Sequence, residues 1–154
     1  MLAAYATVEY ADEYLSSLIG AEAWASASSA DKNRALATAT IRIDALGALG
    51  GGFLGRKAER NQTLEFPREG QNEPPEAIKQ ACCQEALALV EMMADTAAKR
   101  RERDRRQGVT AVSIGDVSES YASTTDAPEP VLYSDLALSL LLPYRAAKGV
   151  YPIK

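Results

Sequence analysis

A chain of 154 residues with 47% hydrophobic residues is long enough for one domain with a real core. Its formal charge of −4 argues against general attraction to nucleic acid, because a polyanion selects basic surfaces. It has no histidine, which excludes histidine-based triads and general bases and removes the commonest zinc ligand, and no run of about eighteen apolar residues marks a membrane span.

The opening MLAAYATVEY lacks the basic flank and long apolar core of a signal peptide, so the chain is expected to be made in the cytoplasm. Thr7 before VEYADEYLSSL predicts a helix start, with Val8, Ala11, Leu15 and Leu18 on the buried stripe and a stop near Gly20. Asp12 and Glu13 on this helix are expected to be solvated. In the short AEAWASAS segment, Trp24 is the only tryptophan and is expected to anchor the first helix against the next.

SSADKNRALATATIRIDAL predicts a second helix, capped by Ser28 or Ser29, that buries Leu36, Ala39, Ile43 and Leu46. Asp44, near its end, opposes the helix dipole and predicts a salt bridge or loop contact with Arg68 or Arg56, with catalysis the minor reading. GALGGGFLG then stops the helix. Gly47, Gly50, Gly51 and Gly52 suggest a phosphate cradle, but no Lys-Ser or Lys-Thr follows as a P-loop requires, so a flexible loop is the better reading. The stretch QTLEFPREG, residues 62–70, fits no regular element.

Pro74 and Pro75 suit the first turn of a third helix, EAIKQACCQEALALVEMMADTAAKRR. It carries Ile78, Ala81, Cys82, Ala86, Leu89, Val90 and Met93 on one stripe, with an acidic start at Glu73 and Glu76 and a basic end at Lys99, Arg100 and Arg101. The adjacent Cys82 and Cys83 point in different directions on a helix and read as reduced core residues.

The segment KRRERDRR, residues 99–106, holds six basic and two acidic residues. Arg100, Arg101, Arg103, Arg105 and Arg106 are candidates to contact phosphate or an acidic partner. Without interleaved aromatics the run lacks a stacking platform, so a solvated or protein-facing role is preferred over a DNA-facing one. In VTAVSIGDVSESYAS the period changes to two around a Gly115-Asp116 turn, which predicts a β-hairpin or extended arm over 108–123. A proline-rich linker follows. Ser134 then caps DLALSLLLPYRAA, apolar on nearly every face and expected to be buried until Pro143 kinks or ends it. The apolar tail KGVYPIK occupies 148–154.

Taken together, these elements predict a single, mainly α domain: a four-helix bundle over 7–101 and 134–147, with an inserted β-hairpin or arm and an extended C-terminal tail. No catalytic set, metal site or cofactor site is visible, and no enzymatic activity is expected.

The order of YATVEYADEYL, AWASASSADKNRALATATIRIDAL, QTLEFPREG, PPEAIKQACCQEAL and SIGDVSESYAS resembles the adaptor, or head–tail connector, proteins of tailed bacteriophages. Some relatives in that group carry the label DnaT-like single-stranded-DNA-binding protein. The resemblance covers residues 5 to about 144; the glycine-rich stretch and the basic run are local departures with no family role assigned. It implies a structural virion protein at the head–tail interface, forming a ring of about twelve copies to match the portal. The implied partners are other copies, the portal protein, a tail or tail-completion protein, and DNA passing through the lumen during genome ejection without sequence-specific binding; no membrane is involved. Within it, Leu64 and Phe66 would cover the bundle, Pro67 would fix the turn and Arg68 would find a carboxylate, forming a structural clamp. Ring or portal contacts would come from the arm (Val109, Val112, Ile114, Val117 and Tyr121) and the tail (Val150, Tyr151 and Ile153). The alternative is a single-stranded-DNA-binding protein, and a steep salt dependence of DNA retention separates the two.

Overall fold

The computed structural model describes residues 3–48, 52–95, 101, 111–114, 117–120 and 132–146. Thr7 has extended backbone angles and its hydroxyl accepts from Tyr10 N at 3.2 Å, which starts helix α1, Val8–Ser16. This helix buries Ala11 and Leu15, while Leu18 beyond its end is exposed. Gly20 takes the left-handed conformation, φ 88°, and turns the chain into a short helix α2, Glu22–Ser26.

That short helix makes five α-helices among the described residues rather than the expected four. One turn of helix carries too little periodicity to stand out in sequence, and it forms because Trp24 is buried against its neighbours. The Trp24 indole N–H donates to Asp12 Oδ1 at 2.7 Å, and Lys32 Nζ reaches the same oxygen at 2.9 Å. Asp12 is therefore not simply solvated; it ties three helices together. The Lys32 partner, first, then the Trp24 hydrogen bond hold its carboxyl below the usual range against the opposing pull of burial.

Helix α3, Ser29–Ala48, begins where Ser28 Oγ accepts from Asp31 N at 3.1 Å and donates back to the Asp31 carboxylate at 2.7 Å. Leu36, Ala39, Ile43 and Leu46 are all buried, as their spacing predicts. Helix α4, Glu76–Ala94, starts after Pro75 and packs against α1, α2, α3 and the later helix α5, Asp135–Leu141. Every side chain over 81–87 is buried, so this helix is enclosed on all sides rather than along one stripe. Its C-terminal end leaves the core: Leu89 is only half-buried and Met93 is 54% exposed.

The described helix also stops at Ala94 with Asp95 as its cap, short of the basic end expected from the sequence. Asp95 instead has Arg101 Nη2 at 3.9 Å. Cys82 and Cys83 are free and buried; Cys82 lies 3.4 Å from Thr40 Oγ1, and burial pushes its thiol up to about 11.

Strands β1, Ala111–Ile114, and β2, Val117–Ser120, pair antiparallel with Ala111 opposite Ser120 and Ile114 opposite Val117. Ser134 Oγ accepts from Ala137 N at 3.1 Å and so caps α5. This helix was expected to be buried all round. It has seven residues, packs Ala137 and Leu141 inward, and leaves Leu136 exposed; a 3₁₀ turn, Leu142–Tyr144, then incorporates Pro143 and exposes Leu142. With α4 on one side only, an all-apolar helix this short cannot hide every leucine. Among the described residues, no helix is long and apolar enough to cross a membrane.

Candidate functional site

Two buried carboxylate centres organise the connections between the helices. The first is built on Asp44 in the last turns of α3. Its carboxylate accepts from the Tyr5 hydroxyl and lies 3.4 Å from Glu65 N, while Phe66 N donates to the same Tyr5 oxygen at 3.2 Å. Tyr5 N in turn donates to Thr40 Oγ1 at 3.1 Å. Asp44 therefore pairs with neither Arg68 nor Arg56; it clasps the N-terminal segment and the central loop onto α3. Burial, the largest influence, raises the Asp44 carboxyl above its ordinary range despite these hydrogen bonds.

The central loop folds against this clasp. Phe66 is buried with ring contacts to Tyr5, Phe53 and Tyr144, and the Phe66–Pro67 bond is cis. Leu64 is half-buried against the core. Arg68, almost fully buried, donates from Nη2 to Glu65 Oε2 at 2.7 Å and stands over the Phe53 and Phe66 rings at 5.5 and 5.3 Å. Two short backbone pairings hold the loop, one between Lys57 and Arg68 and one between Phe53 and Arg145. Gly47 belongs to this packing rather than to a phosphate cradle. A Cβ there would lie 3.0 Å from Glu65 Cγ and Phe53 Cδ2, so only glycine lets the loop close on α3.

Tyr5 yields a pH prediction. Burial, then the hydrogen bond and charge of Asp44, push its phenol far above the ordinary value. The unfolded chain ionises this group near pH 10 while the fold keeps it protonated, so native stability should fall as pH rises above about 10. Chemical denaturation of the wild type and Tyr5→Phe at about pH 9 and 11 checks this, with the smaller pH-dependent loss expected in the variant. An equal loss in both would exclude Tyr5 as the source.

The second centre was not anticipated. Glu85, mid-way along α4, is fully buried; its Oε1 accepts from Arg42 Nε at 2.6 Å and Tyr133 N at 3.1 Å, and its Oε2 accepts from Ser134 N at 2.9 Å. The Arg42 guanidinium stands 3.9 Å from the centre of the Tyr133 ring. The signal was present in CCQEALALV, where a carboxylate interrupts an apolar run, but its partners come from α3 and from a segment nearly fifty residues downstream. Both centres hold chain segments in place, and among the described residues no group of His, Cys, Asp and Glu side chains could hold a metal ion.

The sequence-predicted interface residues are not brought together. Val112, Ile114 and Val117 lie on the paired strands, while Val109, Tyr121, Val150, Tyr151 and Ile153 lie outside the described residues. Arg100, Arg103, Arg105 and Arg106 also lie outside them, and Arg101 is partly exposed near Asp95.

A family model described as "Putative DnaT-like ssDNA binding protein" matches residues 2–151. The chain belongs to this DnaT-like family. No curated protein and no solved structure matches it. The family's description is one of DNA binding, and it overturns the expectation of a structural head–tail adaptor, together with the virion, ring and portal roles that went with it. The error has a physical source. Net charge averages over a polarised DnaT-like chain: residues 99–106 hold six basic and two acidic residues, and the remainder holds eleven basic and nineteen acidic.

Proposed function

We propose that this protein binds single-stranded DNA. The observation that carries the reading is the DnaT-like family match across residues 2–151. The charge distribution supports it and selects the contact: an acidic remainder repels a polyanion, so the DNA is taken by the basic run 99–106. Arg100, Arg101, Arg103, Arg105 and Arg106 supply guanidinium groups suited to phosphate oxygens. No aromatic residue lies within the run, so binding there is electrostatic and indifferent to base sequence.

Anisotropy of a labelled oligo-dT strand titrated with the full chain tests this over a range of salt concentrations. Each phosphate neutralised on a single strand contributes about −0.7 to the slope of log K against log salt. If all five arginines make contact, affinity should fall about a hundredfold between 50 and 200 mM salt. Replacing the five by glutamine should remove most of that slope. Absence of binding at about 50 mM salt, or a slope that survives the substitutions, would refute the assignment.

A further inference from the structure

Glu85 stands inside an apolar stretch of α4 with no exposed surface. Desolvating a carboxylate is unfavourable unless its oxygens are satisfied, and an ion pair in such a place stabilises no better than an apolar pair of the same volume. Fixing register is the best-attested use of a buried charge of this kind. Here the partners show what is registered. Beyond Arg42 of α3, Glu85 holds the backbone N–H groups of Tyr133 and Ser134, where the chain re-enters the described fold at Leu132 to begin α5.

The connection 96–131 leaves α4 at Asp95 and returns at this point, and it contains the basic run. We infer that Glu85 and Arg42 are positioning residues for the DNA contact: their clasp on Tyr133 and Ser134 pins the returning end of the connection that carries residues 99–106. The inference rests on the single-stranded-DNA reading. Holding both ends of a connection limits the conformations that must be lost when its basic residues are ordered on a strand. The segment 132–146 has a second attachment that does not involve Glu85: Leu54 N donates to Tyr144 O at 2.8 Å and Ala146 N to Gly52 O at 3.0 Å. Opening the clasp therefore frees the head of α5 while its far end stays tethered.

The test uses the full chain with Glu85→Gln and Arg42→Met, the second because Arg42 is partly exposed and its replacement leaves both backbone donors on Glu85. Arg42→Lys is the conservative variant. Amide exchange over 137–141 should accelerate at least about tenfold in Glu85→Gln and Arg42→Met, with less than about threefold change over 36–43. Oligo-dT affinity should fall about tenfold at unchanged salt slope, because the phosphate contacts stay the same in number, and Arg42→Lys should recover most of it. Wild-type exchange over 137–141 in both variants overturns the clasp. Faster exchange with unaltered affinity overturns its positioning role. A wild-type chain that binds no oligo-dT overturns the DNA reading and the positioning role with it, while the exchange data still decide the clasp.

Discussion

Replacing Phe66 by alanine should lower the unfolding free energy by about 3–5 kcal/mol, the cost of truncating a buried aromatic that its surroundings cannot refill. The ring sits where three parts of the chain meet. Its centroid is 6.0 Å from Tyr5 in the N-terminal segment, 4.8 Å from Phe53 in the loop and 5.9 Å from Tyr144 after α5, each in an edge-on arrangement. Arg68 stands over the same ring. The backbone N–H of Phe66 is also held by Tyr5, so collapse of the loop into the cavity would strain that hydrogen bond. Equilibrium urea denaturation should show a lower midpoint with an unchanged m value. A loss below about 1 kcal/mol would mean that the four aromatics do not form the joint described here.

Ile78→Ala should cost about 2–5 kcal/mol, whereas Leu89→Ala should cost about 1 kcal/mol, although both lie on the same predicted stripe. Ile78 lies in the first turns of α4 with no exposed surface. Leu89 lies nearer the C-terminal end, where the helix emerges from its neighbours and half of the side chain is already in water. Removing it forfeits less burial and leaves a dent that solvent fills. The same denaturation experiment on the two variants checks the ordering. Equal losses would show that α4 is enclosed to its end.

What the sequence determined by itself was largely local. Thr7, Ser28 and Ser134 cap helices because a side-chain oxygen three residues before an amide can reach it whatever lies elsewhere in the chain. Leu36, Ala39, Ile43 and Leu46 point inward because helical periodicity places them on one face. Trp24 is an anchor because a lone tryptophan has the most apolar surface to hide. The carboxylates show where this logic ends. Asp44 was assigned an arginine partner from charge alone, yet it accepts from Tyr5 and from the backbone of Glu65. Charge says that a partner is needed; only the tertiary path says which donors arrive.

Glu85 makes the point more strongly, since its partners come from α3 and from the residues that open the segment leading into α5. The full enclosure of α4, the one-turn helix around Trp24 and the exposed leucines of α5 depend likewise on neighbours that no local pattern specifies. Function divided in a similar way. The basic run was legible in residues 99–106, but overall charge concealed its weight, because electrostatic attraction acts over roughly a Debye length of about 8 Å and not over the whole chain. Where that run is presented is a tertiary matter, decided by the clasp that brings the chain back onto α4.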